Sequence, residues 1–192
     1  MCMRKGGCGM ADILDDHDDD IEEFDDLDAV EDKTEPETHL TDESDIAVAA
    51  WHEDGRWTLA TLPDAHDIPQ IITRLKAQQT NGGALALIAI DEEFFILVRV
   101  LGTHISLFLS DATCALDYEV AEEFLEIADL PMPEDDDESF PVGNLDIFSD
   151  LGMNQMEIEA ICADEELFPD EQLEAIASRL GFGDQFAELL GL

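Results

Sequence analysis

The side chains with the most obvious chemical capacity lie near the N-terminus, in DILDDHDDDIEEFDDLDAVED at positions 12–32. Alternating carboxylates are the usual ligands of a hard cation such as calcium. A helix–loop–helix calcium loop needs oxygen donors at its first, third and fifth positions, glycine at the sixth and glutamate at the twelfth. With Asp16 first, Asp18 and Asp20 fall correctly, but Ile21 takes the glycine position and Leu27 the glutamate position. Without the turn glycine and the bidentate carboxylate, the stretch is no specific calcium site. Two readings remain. It is a solvating acidic tail, or it docks. Ile21, Phe24 and Leu27 recur every third residue among acids. Folded as a helix on contact, they would form one apolar stripe between carboxylates, suited to a basic groove with an apolar floor.

Other chemistry is tested the same way. A zinc deaminase needs His-x-Glu and a later Pro-Cys-x-x-Cys to hold the metal and move the proton. None of His17, His39, His52, His66 or His104 has glutamate two positions on, and Cys-x-x-Cys does not occur. Cys2 and Cys8 match no zinc spacing; Cys114 and Cys162 sit in apolar helical patterns and read as small buried thiols of a reducing compartment. There is no nucleophile elbow and no phosphate loop. Ser106 and Ser110 follow His104 at ordinary strand alternation. Glu122, Glu123 and Glu126 have the residue type for carboxylate-assisted hydrolysis, but their spacing is that of the wet face of an amphipathic helix. No catalytic residue, metal or cofactor is expected. Trp51 and Trp57 flank a tight turn, as a packed cross-strand pair or with one ring exposed as a partner anchor. The candidate docking residues are therefore Ile21, Phe24, Leu27, Trp51 and Trp57.

The charge of the whole chain narrows the partners. Of 192 residues, 49 are acidic and 8 basic, for a formal net charge of −41. Such a chain is repelled by phosphate backbones and anionic membranes, so direct nucleic-acid or membrane binding is not expected. It attracts basic proteins, in a salt-sensitive way. The helix PDEQLEAIASRLGF offers Arg179 against three acids, which excludes a DNA-reading helix. No apolar leader core follows Met1, and the longest apolar run, ALALIAI, is too short to span a bilayer, so the expected location is cytoplasmic. Met1, Met3 and Met10 are alternative starts.

The elements that must carry these residues follow from periodicity. Residues 1–44 are acidic and aperiodic and read as a disordered tail. DIAVAAW (45–51), an Asp54-Gly55 turn and RWTLATL (56–62) form a hairpin. Asp67 caps a helix over 67–80 with Pro69 in its first turn and Ile68, Ile71, Ile72 and Leu75 on one face; Asn81-Gly82-Gly83 stops it. Three strands follow, 84–91, 93–101 and 104–110, joined by turns short enough to force antiparallel neighbours. A helical region from Ser110-Asp111 buries Val120 and Phe124. The order β-β-α-β-β-β-α is an α+β domain over 45–130, a five-stranded antiparallel sheet whose helices must cover at least one face. Residues 131–141 form an acidic linker flanked by proline. A helical module occupies 142–192, with helices at 144–152, 154–167, 169–182 and 184–190. Asn154 and Glu157 form a capping-box variant, and Gly181 stops the third of these helices.

DIAVAAWHEDGRWTLATLP, ALALIAIDEEFFILVRVLG with HISLFLSDATCA, PVGNLDIFSDLGM and LFPDEQLEAIASRLGF together resemble the tRNA adenosine deaminase-associated proteins. The resemblance covers 45–190, and PVGNLDIFSDLG is its most specific part. It implies an association with tRNA adenosine deaminase and brings no catalytic residues. The expected function is that of a non-catalytic accessory protein binding the deaminase or another basic tRNA-processing partner. An acidic nucleic-acid mimic that competes with tRNA is the first alternative. A carboxylate- and metal-dependent enzyme is the second.

Overall fold

Asp54 and Gly55 both adopt the left-handed backbone, at φ 51° and 81°. Two such residues make a type I′ turn, whose twist matches that of the strands it joins. It pairs β1 (Ile46–Glu53) with β2 (Arg56–Thr61), Glu53 opposite Arg56. This is a computed structural model, and it describes residues 45–78, 80 and 82–191. The acidic tail lies outside the described residues, and with it the docking candidates Ile21, Phe24 and Leu27.

Helix α1 (Ile68–Ala77) starts where its cap dictates: the Asp67 carboxylate accepts the Gln70 N–H at 2.7 Å, and proline occupies the first turn. Ile68, Ile71, Ile72 and Leu75 are buried as one stripe, at about 2 kcal/mol each for a fully buried aliphatic side chain. Strands β3 (Ala84–Ile90) and β4 (Phe94–Leu101) are apolar on both faces, and β3 is buried throughout. Strand β5 (His104–Leu109) closes the meander. The Asp111 carboxylate then caps a 3-10 turn, Ala112–Leu116, and only afterwards does α2 (Glu119–Ala128) begin. The helix therefore starts later than the expected Ser110-Asp111, because that aspartate bonds the backbone two residues on and closes a tighter turn.

The sheet is antiparallel with order β2-β1-β3-β4-β5-β6, six strands instead of the expected five. The sixth, β6 (Val142–Gly143), is two residues long and pairs with Phe108 and Leu109. A strand this short leaves no alternation to read. Gly143 is required there. Its φ is 96°, and a Cβ would collide with the Leu107 carbonyl oxygen.

Helices cover both faces. On one, α1 and α2 bury Ala86, Ile88, Ile96, Val98, Leu107 and Leu109. On the other, α3 (Gln155–Cys162), α4 (Pro169–Leu180) and α5 (Gly183–Leu190) bury Val48, Leu85, Leu87, Phe95, Leu97 and Phe108. The C-terminal helices thus share one core with the sheet. The capping box at Asn154 is present in both directions, and Gly181 ends α4 in the left-handed conformation. Residues 144–152 form no α-helix. The Asn144 side chain accepts the Asp146 N–H, and a 3-10 turn at Ser149–Leu151 ends on left-handed Gly152. Ile147 and Phe148 are nevertheless buried among the second-face residues.

Among the described residues, no helix is long and apolar enough to cross a membrane.

Candidate partner-docking cleft

The loop from β2 to α1 and the exposed face of α2 enclose an open cleft of about 680 Å³. Its wall holds Asp64, His66 and Asp67 on one side and Glu119, Glu122, Glu123 and Glu126 on the other. The helical spacing of the α2 glutamates marks them as a wet face. What they face is set by the docking of two helices far apart in sequence.

The loop side is fixed by hydrogen bonds. The Asp45 side chain is 2% exposed. One of its oxygens accepts His66 Nε2–H at 2.7 Å and the other the Asp91 N–H at 3.1 Å. The His66 backbone N–H donates to Asp64 Oδ1 at 2.8 Å. The bond to Asp45 fixes the imidazole in the wall of the cleft. On the α2 side, burial raises the Glu123 carboxyl above its ordinary range; Asp67, Glu126 and Glu119 add repulsion, while a hydrogen bond from the Ile68 backbone works against it. This is a wall of negative charge that resists further ionisation and gains from an incoming cation. Among the described residues, no three His, Cys, Asp or Glu side chains converge as a metal ion would require.

The two tryptophans do not pair with each other. Trp51 lies opposite Thr58, half-buried on the α1–α2 face. Trp57 lies opposite His52 on the other face, its ring edge-on to the imidazole at 5.3 Å and against Phe182 at 4.6 Å. An even offset in the register is needed to put two residues on one face, and 51 and 57 are not cross-strand partners. Cys114 and Cys162 are free thiols, both pushed up to about 12, chiefly by burial, with nearby acids adding to it. A thiol so far from ionisation is inert as a nucleophile.

Two arginines whose positions carry no motif hold the most distinctive segment in place. Arg99 is 5% exposed in the middle of β4. Its Nη1 donates to the Ile147 carbonyl at 2.7 Å and to Asp150 Oδ1, and its Nη2 to Asp150 Oδ2 at 2.7 Å. These bonds hold the Asp150 carboxyl below the usual carboxylate range. Asn144 donates to the Ser106 hydroxyl beside it, at 3.2 Å. From the other side Arg179 of α4 reaches the Gly152 carbonyl at 2.6 Å and Glu157 at 2.7 Å. The one clue in the sequence is a lone arginine inside FFILVRVL, since a buried guanidinium must find acceptors.

The segment so held, 142–153, lies within the span matched by a family model. Residues 45–183 match the Rv3753c-like tRNA adenosine deaminase-associated proteins. The chain belongs to this family. It is also 36% identical over 155 residues to Protein Rv3753c of Mycobacterium tuberculosis (strain ATCC 25618 / H37Rv), covering 76% of this chain and 87% of that protein. No solved structure matches. The family span contains the whole sheet, both walls of the cleft and both arginine clamps, and it begins where the acidic tail ends.

Proposed function

We propose that this protein is a non-catalytic accessory protein of the cytoplasm that docks a basic partner, with tRNA adenosine deaminase the partner that the family name points to. The observation that carries the reading is the cleft at Asp64, His66, Asp67, Glu119, Glu122, Glu123 and Glu126 on a chain of net charge −41. An enzyme that binds tRNA presents a basic surface, and complementary fields speed association and set its orientation. Nothing in the cleft supplies an activated nucleophile, and the thiols of Cys114 and Cys162 are elsewhere and inert.

The test is binding of purified deaminase to the full chain at graded salt. The expected result is an affinity that falls as salt rises and falls again in Glu122→Gln/Glu126→Gln. Deletion of residues 1–44 separates a contribution of Ile21, Phe24 and Leu27 from that of the cleft. An affinity indifferent to salt and to both cleft substitutions would sink the reading.

A further inference from the structure

The register of the first hairpin decides which way the backbone of β2 points. Leu62 donates to Ala47 at 2.8 Å, which makes 47 and 62 a hydrogen-bonded pair. Antiparallel pairs alternate between bonded and non-bonded. Residues 49 and 60, 51 and 58, and 53 and 56 are therefore bonded, and the pairs containing Thr61, Leu59 and Trp57 are not. The N–H and C=O groups of Trp57, Leu59 and Thr61 point away from β1, and β2 is the end of the sheet. Among the described residues none of these groups has a hydrogen-bond partner. Natural edges are blunted by lysine, proline, bulges or brevity. The opposite edge, β6, has two residues. The stretch Trp57–Thr61 contains no lysine or proline, and α5 packs with the Trp57 and Leu59 side chains on one face of the sheet.

The charge around this edge says what completes it. Glu53 and Asp54 stand at the turn end with Arg56, one negative charge in excess, and Asp64 lies three residues beyond Thr61. Helix α5, which carries Asp184 and Glu188, packs beside β2. A second copy paired about a two-fold axis would set the turn end of each chain, net negative despite Arg56, beside Asp64 of the other at both ends of the edge. An extended segment with lysine or arginine at its ends meets the same acids favourably. Asp64 is also a wall of the cleft.

We propose that β2 takes an extended segment of a basic partner as an added strand, bonded to the backbone of Trp57, Leu59 and Thr61, with basic residues flanking it toward Asp64 and Glu53. The inference rests on the docking reading above and specifies how the partner is held. Main-chain bonds give the affinity in strand addition, and side chains on alternate positions give the specificity.

The test uses the full chain and two synthetic nine-residue peptides of alternating lysine and valine. One is unmodified; the other is N-methylated at every amide, which keeps the charge and removes the donors. The unmodified peptide is expected to slow hydrogen exchange at Trp57, Leu59 and Thr61 by more than about tenfold, and the methylated one to leave it unchanged. Thr61→Pro, which removes an outward N–H and no bond to β1, is expected to weaken the peptide by about tenfold, and Thr61→Val to leave it intact. If both peptides bind alike and perturb only Asp64, Asp67 and residues 119–126, strand addition is wrong while the docking reading survives. If neither binds, strand addition is wrong, and the docking reading is decided by the deaminase titration. If the three amides are already protected in the free protein, increasingly so at higher concentration, a second copy occupies the edge and the inference is overturned.

Discussion

Arg99 and Asp150 form an unequal pair: the arginine side chain is 6% exposed and the carboxylate 57%. Removing the exposed partner leaves the buried charge behind. Asp150→Ala is expected to cost about 2 kcal/mol, less than a fully buried pair because water screens the carboxylate. The Asp150 pKa is lowered in the fold, so its contribution is complete above the unfolded value of about 4 and is lost as pH falls through the folded one. Urea midpoints of the two proteins should therefore differ at pH 7 and converge in acid. Glu123 has the opposite sign. Its pKa is raised in the fold, so its ionised form opposes folding at neutral pH. Glu123→Gln keeps an acceptor for the Ile68 N–H and is expected to raise the denaturation midpoint at pH 7, with the gain gone below about pH 4. A neutral-pH loss of stability would mean that the hydrogen bond outweighs burial and repulsion.

The elements differ in how much their own residues decide. Caps and apolar stripes are local, which is why Asp67, Asn154, Gly181 and the stripe of α1 are legible in the sequence alone. Segment 142–153 is not. Its apolar Leu145, Ile147 and Phe148 imitate a helical face, yet its backbone is organised by Asn144, by Gly143 against Leu107 and by two distant arginines. Contacts across many residues of sequence leave no local period. The cleft is half legible for the same reason: the wet face of α2 shows in the spacing of Glu122, Glu123 and Glu126, while its opposite wall depends on where α1 lands. Gly143→Ala tests the segment directly. The new Cβ would press on the Leu107 carbonyl in a left-handed conformation, at an expected cost of about 2 kcal/mol or more by chemical denaturation. Gly55→Ala, where a Cβ meets nothing within 4 Å, isolates the conformational cost alone and is expected to cost less.

At the scale of the molecule, charge and packing are separable. Beyond residue 44 the only lysines and arginines are Arg56, Arg74, Lys76, Arg99 and Arg179. Two of these, Arg99 and Arg179, are engaged in holding the fold. The acids are left largely unbalanced, and self-repulsion falls with added salt. Melting temperature is expected to rise between low and physiological ionic strength, the reverse of the trend expected for partner affinity. A scan of Tm against sodium chloride checks it; a flat or falling curve would show that local ion pairs outweigh the general repulsion.

The two-sided sheet also has a history in time. All five long strands have been synthesised by Leu109, but the residues that cover their second face begin at Leu145 and continue to Leu190. At about 5–20 residues per second, Val48, Leu85, Leu87, Phe95, Leu97 and Phe108 stay bare for several seconds of synthesis. A chain released at residue 143 would keep that face permanently, and is expected to bind a hydrophobic dye and sediment as aggregate. Nascent chains on one message would meanwhile hold each other apart, because the acidic run 12–32 precedes every strand.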